Sequence, residues 1–263
     1  MLTLTFPFYG DGDRFSPGGV RRVYILLGGA ILALVSYELA NRQWDVQSGL
    51  LCGRHLLLLP RAPGWSVWVE WAAALACGAV FLTGRPPAAA VRAAAVVVLY
   101  GAGQRYMNQK ALLGLILAYL ALDPPDPDEP GFEARSRPNL GLAVWQLALV
   151  YGFSALQKGR TGFLDGRMLV DALTMAAETG AWTPVPAAAA AALLGASPAA
   201  AAALSWLVVA AEAVLSCLVW ARPRLLLAGA LALHAGFFLL IPGTLSFALT
   251  MTACALLAAS RRS

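Results

Sequence analysis

The chain has 263 residues, of which 59% are hydrophobic and 13% are charged, and its mean hydropathy is +0.68. Soluble domains are about 45–50% apolar and about 25% charged, so this composition excludes an ordinary soluble protein and indicates an integral membrane protein. The net charge of +5 comes from 19 basic residues that are scattered between apolar runs, and this scatter argues against a nucleic-acid partner.

The first residues, MLTLTFPFYGDGDRFSPGG, mix polar and apolar side chains, and we expect no cleaved leader because a basic start and a short apolar core are missing. The four cysteines form no CxxC motif, which argues against a zinc site or a redox pair. We expect each to be a small buried residue, namely Cys52, Cys77, Cys217 and Cys254.

A membrane-spanning helix needs about 20 apolar residues, with about 17 as a lower limit. The apolar runs predict an all-α, polytopic bundle in a single membrane domain, with about eight spans at residues 21–40, 65–83, 88–104, 107–122, 139–157, 199–220, 224–241 and 243–260. The acidic, Pro-rich segment between spans four and five reads as a connector, either ordered or mobile. The Ala-rich stretch 184–198 has proline near both ends and is too short to cross, so it predicts a short interfacial helix.

With eight spans both termini lie on one side, and that side carries 11 of the basic residues against 8 on the other. The positive-inside rule therefore places the termini in the cytoplasm and the chain in the cytoplasmic membrane.

Polar residues collect at the outer ends of the predicted spans. His234 lies in the outer half of span seven, and Lys158 ends span five. Ionisable groups at membrane depth are costly and by default mark a site, although a terminal lysine also snorkels to the interface and a single histidine can serve helix packing. The other members of this outer set are Glu38, Arg54, His55, Gln104, Arg105, Asn108, Gln109 and Lys110.

A lysine beside an apolar pocket can act as a neutral amine base, because apolar surroundings disfavour an ammonium group in general. Such a base suits a phenol or hydroquinone, and His234 could stabilise the oxyanion that forms. Glu212 lies nearer the middle of span six and requires a partner, which is either a neighbouring helix or the same site.

The segment YGFSALQKGRTGFLDGRML carries Tyr151, Lys158, Phe163, Asp165 and Gly166 in a characteristic order. It resembles the corresponding segment of the vitamin K-dependent γ-carboxylases and of the related bacterial horizontally transferred transmembrane (HTTM) proteins. The block HAGFFLLIPGTLSFALTM, which opens with His234, and the block MNQKALLGLILAYL, which contains Asn108 and Gln109, resemble two further family motifs.

This resemblance implies that Lys158 is a base toward a reduced quinone, either vitamin K hydroquinone or menaquinol, with His234 as its catalytic companion. Reaction with O2 then yields a strong base that removes a proton from a peptide glutamate before CO2 adds. On this resemblance the residues that bind the quinone or substrate are Asn108, Gln109, Tyr151, Asp165, Gly166 and Glu212, and no metal is expected.

The sequence departs from the family at Gln109, where the carboxylating enzymes have histidine, and at Phe163, where tryptophan is usual. No counterpart of the family's large extramembrane domain is expected either. Carboxylation is therefore one outcome among several, and another quinone- or O2-linked modification of a peptide or small substrate fits the missing domain better.

Two other function classes stay open. A non-enzymatic membrane partner in the maturation, export or immunity of a secreted peptide is consistent with the changed residue at Gln109. A transporter is less favoured because the chain has no inverted repeat and no matching pair of broken helices.

Overall fold

A computed structural model describes residues 14–40, 63–104, 107–178, 183–241 and 243–262 of the chain. These residues form a helical structure, as the sequence predicts, with a two-stranded ribbon of β1 (Arg14–Phe15) and β2 (Arg261–Arg262) and two 3-10 turns, Phe132–Ala134 and Phe163–Asp165. The described α-helices are α1 Pro17–Ala40, α2 Ser66–Phe81, α3 Ala88–Gln104, α4 Asn108–Leu122, α5 Pro138–Arg160, α6 Arg167–Glu178, α7 Ala187–Gly195, α8 Pro198–Ala221, α9 Pro223–Leu240 and α10 Leu245–Ala259.

Four of these helices, α1, α5, α8 and α9, are long and apolar enough to cross a membrane, which indicates a membrane protein. Each opens with a proline, a residue that suits the first helical turn because the amide hydrogen it lacks has no partner within the helix. The other four predicted spans also coincide with helices, but α2, α3, α4 and α10 contain 15 to 17 residues. The structure thus supports four spans by length rather than the expected eight.

Neighbouring helices run in opposite directions. Gly28 of α1 lies against Gly78 of α2, whereas Glu38 further along α1 contacts Trp71 earlier in α2. The same reversal relates α3 to α4, α8 to α9 and α1 to α10. The bundle therefore has two ends, which carry different side chains. We call the end at which α1, α3, α5 and α9 finish the site end, and the opposite end the arginine end.

The centre of the bundle is packed by α1 and α10 with their neighbours. Leu27, Ile31 and Ala255 are fully buried there, and Cys254 is buried beside them. Gly28 approaches α2 so closely that a Cβ atom would meet the Gly78 carbonyl. Of the other cysteines, Cys77 is half-buried and Cys217 is exposed on α8, so the expectation of burial was wrong for Cys217. Cys52 lies outside the described residues.

Two short helices lie at the site end between α5 and α8. Helix α7 falls within the predicted Ala-rich segment, whereas α6 was not predicted from the sequence. One face of α6 is buried through Leu169, Leu173 and Ala176, and Leu169 and Leu173 form a small apolar cluster with Ala190 of α7.

The acidic connector is ordered at the arginine end. The Tyr24 hydroxyl donates to the Pro125 carbonyl at 2.8 Å, and the Asn139 amide donates to the Asp123 carbonyl at 2.9 Å. The Arg137 side chain is buried and pairs with Glu129 at 2.6 Å. These contacts attach the connector to α1 and α5, so of the two alternatives the ordered one holds.

Replacing Glu129 tests this attachment through pH. The hydrogen bond from Arg137 lowers the pKa of the Glu129 carboxyl, so the pair stabilises the fold above the unfolded carboxyl pKa of about 4.3 and loses that contribution as the pH falls through the lower folded value. Glu129→Gln should lower the melting temperature at pH 7, and the difference should shrink in acid. The exposed Glu178→Gln should change little at either pH, and a deficit for Glu129→Gln that persisted in acid would contradict this account.

Two glycines beside the 3-10 turn at Phe163–Asp165 allow a matched comparison. Gly162 and Gly166 both have positive φ angles, 69° and 83°, but only Gly166 packs against the backbone of Ala201 on α8. Gly162→Ala should cost about 1–2 kcal/mol of backbone strain, whereas Gly166→Ala should destabilise the protein further because its Cβ has no space. Thermal unfolding in detergent measures both, and equal losses would show that Gly166 is not a packing constraint.

Candidate functional site

An ion pair joins α5 to α8 near the site end. Lys158 Nζ lies 2.5 Å from Glu212 Oε1, and the Glu212 side chain is 5% exposed against 24% for Lys158. Glu212 is half-way along α8, so Lys158 reaches inward from the last turn of α5. Burying one charge alone would be costly. The pairing therefore accounts both for the buried position of Glu212 and for the inward direction of the Lys158 side chain.

A second polar pair lies beside the first. The Tyr151 hydroxyl is 2.8 Å from Nε2 of His234, and both side chains are buried. Tyr151 precedes Lys158 by seven residues on α5, about two helical turns, and His234 projects from α9. The structure therefore brings together four of the residues singled out in the sequence, Tyr151, Lys158, Glu212 and His234, from three different helices.

Aromatic rings enclose these polar groups. Lys158 Nζ lies 5.4 Å from the centre of the Phe163 ring and 5.3 Å from that of Phe237. The His234 ring lies 6.0 Å from Phe237 and makes an edge-on contact with Phe247 at 5.4 Å. Phe163 comes from the turn after α5, and Phe247 from α10, so five elements contribute to the site.

An apolar groove lies between α8 and α9 and includes Phe237 among its lining residues. It has a volume of about 270 Å³ and takes its walls from Leu204, Leu207, Val208, Leu233, Gly236 and Leu240, with Leu169 of α6. Phe237 lines the groove and its ring centre also lies 5.3 Å from Lys158 Nζ, so this residue is shared by the groove and the polar site. Such a combination of apolar walls and few polar groups is typical of ligand sites.

Some polar atoms near this end are buried and lack a hydrogen-bond partner among the described residues. They include Glu212 Oε2 and His234 Nδ1 within the site, together with Ser205 Oγ on α8 and Ser246 Oγ on α10. Buried polar groups are usually paired. The unpaired atoms of Glu212 and His234 therefore mark positions at which an ordered water or a ligand would supply the missing partner.

A second buried cluster joins α1, α2 and α4. Lys110 Nζ lies 2.6 Å from Glu38 Oε1 and 2.7 Å from Glu70 Oε1, and all three side chains are almost fully enclosed. The Trp71 indole donates to Glu38 Oε2 at 2.6 Å. Gly101 of α3 packs so closely on Glu70 and Lys110 that a Cβ atom would collide with both, so we interpret this cluster as a packed connection rather than a ligand site.

Glu70 was missed in the sequence because it lies near the start of an apolar run. A signal was present, since Lys110 and Glu38 were both placed at the outer ends of predicted spans, and Glu70 falls at the same end on α2. Arg54, His55 and Arg105 of the outer set lie outside the described residues.

Among the described residues, no hydrogen bond or ion pair joins the remaining predicted binding residues to Lys158 or His234. Asn108 is exposed at the start of α4, and the Gln109 amide donates to the Gly243 carbonyl at a long 3.5 Å. Asp165 is exposed and accepts a hydrogen bond from the Arg167 amide at 3.0 Å. Gly166 packs on α8 instead. Their assigned roles in binding stay predictions.

The described residues contain no cluster of three or more histidine, cysteine, aspartate or glutamate side chains able to hold a metal ion. Lys158, Glu212 and His234 bring an amine, a carboxyl group and an imidazole together at the site end. No protein-family model matches the chain, and neither a curated protein nor a solved structure matches it at a significant level.

Proposed function

We propose that the chain is a membrane-embedded enzyme in which Lys158 acts as a general base toward the hydroxyl of a reduced quinone, in a reaction that also uses O2. The observation that carries this proposal is the position of Lys158 Nζ, 2.5 Å from Glu212 and 5.3 Å from the ring centre of Phe237, a residue that also lines the apolar groove.

The pair of Lys158 and Glu212 can provide a neutral amine without a change in net charge. A proton that moves from Nζ to the carboxylate along their short hydrogen bond converts two opposite charges into two neutral groups, and an apolar site tolerates this state well. Lys158 can then accept the proton of a bound hydroxyl. The resulting ammonium group lies beside the new oxyanion and balances its charge.

The groove and the unpaired atoms fit a reduced quinone. Its hydroxyl requires a proton acceptor and its oxyanion a hydrogen-bond donor, and Lys158 and His234 offer these within one aromatic enclosure. Its apolar part requires a dry channel, which the walls formed by Leu204, Leu233 and Phe237 offer. Vitamin K hydroquinone and menaquinol both meet this description.

The steps after deprotonation rest on the resemblance to the γ-carboxylase and HTTM proteins. There the reduced quinone supplies a strong base on reaction with O2, and CO2 is a substrate when the product is a carboxylated peptide glutamate. For this chain we propose oxidation of the quinone coupled to modification of a peptide or small substrate, with carboxylation as one form of it.

A non-enzymatic role is the second candidate. In the described structure Asn108 is exposed and Gln109 hydrogen-bonds the Gly243 carbonyl rather than Lys158 or His234, although the resembling motif would place both at the substrate. On this alternative the chain is a membrane partner in the maturation, export or immunity of a secreted peptide, and the pair of Lys158 and Glu212 serves only to hold α5 to α8.

We also propose that all eight apolar helices cross the cytoplasmic membrane, with both termini in the cytoplasm and the site end facing outward. The alternating helix directions support this arrangement, because α2, α3, α4 and α10 run beside the four long helices. Arg21 and Arg85, which both pair with Asp128, and Arg137 would then lie on the cytoplasmic side, as the positive-inside rule requires. Helix α7 would lie at the outer interface.

Lys158→Arg tests the base directly. Arginine keeps the positive charge and can pair with Glu212, but it cannot be deprotonated in a protein, so oxygen uptake with vitamin K hydroquinone or menaquinol should fall on the order of 100-fold or more. Oxygen consumption and mass spectrometry of the quinone product measure this with purified protein in detergent. Arg160→Lys, an exposed change two residues away, is the control. Equal activity of wild type and Lys158→Arg would refute the base, and silence of both would favour the partner role.

Gly236→Leu tests the groove. A Cβ atom at Gly236 meets no atom within 4 Å, so leucine should fill the groove without disturbing the fold. We expect a several-fold higher KM for long-tailed menaquinol and little change for menadiol, which lacks the tail. Gly18→Leu, at an equally open position of α1 at the arginine end, should affect neither substrate. A loss that is equal for both quinols would show that the groove does not hold the tail.

A further inference from the structure

The hydrogen bond between Tyr151 and His234 has a direction that can be deduced from the groups around it. His234 is 2% exposed and is enclosed by the rings of Tyr151, Phe237 and Phe247. Among the described residues no carboxylate hydrogen-bonds to it, and a buried charge without a partner is costly. The imidazole is therefore neutral and carries one N–H, on either Nδ1 or Nε2.

The strength of the hydrogen bond distinguishes the two tautomers. If Nε2–H donated to the Tyr151 oxygen, the phenol hydrogen and the Nδ1 lone pair would both lack partners within the described residues. If the Tyr151 hydroxyl donates to Nε2, Nδ1–H lacks a partner instead and the phenol oxygen accepts no hydrogen bond there. Both arrangements thus leave one donor and one acceptor unpaired, but a phenol hydroxyl is a more acidic donor than an imidazole N–H, and an imidazole nitrogen is a more basic acceptor than a phenol oxygen, so the second arrangement is favoured.

The ring also has a fixed orientation. The Tyr151 and His234 rings lie nearly parallel, 20° apart with centres 5.9 Å from each other, and Phe247 meets the imidazole at 79°. A ring held in this way presents its second nitrogen in one direction. Nδ1 is buried and has no partner in the described part of the chain.

We propose that Tyr151 is a positioning residue that holds His234 in the neutral tautomer protonated at Nδ1, so that Nδ1–H is the donor offered to an oxygen of the bound ligand. The part of this inference that concerns the ligand rests on the proposed function, whereas the part that concerns the tautomer of His234 does not. The class of ligand follows from the donor: it carries an oxygen that accepts a hydrogen bond, such as a quinone carbonyl or the oxyanion of a quinol.

The chain has only two histidines, His55 and His234, so nitrogen NMR of protein labelled with ¹⁵N-histidine can report on His234 alone. We would record the spectrum in detergent without substrate, with His55→Gln to assign the signals. The expected wild-type spectrum has a protonated Nδ1 and an unprotonated Nε2 at His234. A protonated Nε2 or a doubly protonated ring would overturn the proposal, whether or not the protein has activity.

Tyr151→Phe separates the role of the hydroxyl from that of the ring. The variant keeps the stacked ring and should lose the single tautomer, with a smaller fraction protonated at Nδ1. Tyr119→Phe, which removes a hydroxyl that hydrogen-bonds Gln146 between α4 and α5, should leave the His234 signals unchanged. An unchanged tautomer in Tyr151→Phe would show that Tyr151 does not set it, and the wild-type spectrum decides the matter should this variant fail to fold.

Menadione tests separately whether Nδ1–H donates to a ligand oxygen, because it has two acceptor oxygens and no proton to give to Lys158. Its addition should shift the Nδ1–H signal of His234 in wild type and in Lys158→Arg alike. If the free protein shows the expected tautomer but menadione causes no shift at any concentration, the donor does not face a quinone oxygen. That result would leave the base activity of Lys158 to be judged by oxygen uptake.

Discussion

The constraint on which the rest of the structure depends is that a charge buried in an apolar bundle requires a partner. The chain has two lysines and 17 arginines, and both lysines are paired with glutamates inside the bundle. Lys110 joins Glu38 and Glu70 across three helices, and Lys158 joins Glu212 across two. Arginine cannot give up its proton whereas lysine can, and the proposed chemistry rests on the more open of the two lysine pairs, Lys158 with Glu212.

The helices and the main polar convergence could be predicted from the sequence. Apolar runs between prolines and charged turns give the positions of the eight apolar helices, because few other structures bury so many consecutive apolar residues. Lys158 and His234 were predicted to lie at the same end of the bundle, whereas Glu212 was placed nearer the middle of its span and Tyr151 was chosen by resemblance. Their pairing depends on how α5, α8 and α9 rotate about their axes, which a run of uniformly apolar residues does not specify.

Other features could not be predicted for the same physical reason. Glu70 lies in an apolar run, and only the three-dimensional position of Lys110 shows what it pairs with. Helix α6 is short and amphipathic, so the mixed polar and apolar pattern of its sequence resembles that of a loop between long apolar segments. Asn108 and Asp165 were chosen by resemblance to motifs, yet both are exposed, and Asp165 accepts a hydrogen bond from the Arg167 amide rather than from Lys158. The order of residues in a motif therefore predicts which helices lie together more reliably than it predicts which side chains are in contact.

The measurement that most directly tests the central claim is the absorption spectrum of menadiol bound to the protein without oxygen. If Lys158 takes the hydroxyl proton, the bound ligand should show the spectrum of the hydroquinone anion with wild type and that of the neutral hydroquinone with Lys158→Arg. A neutral bound ligand in wild type, or the same anion in both proteins, would contradict the assignment of Lys158 as the base.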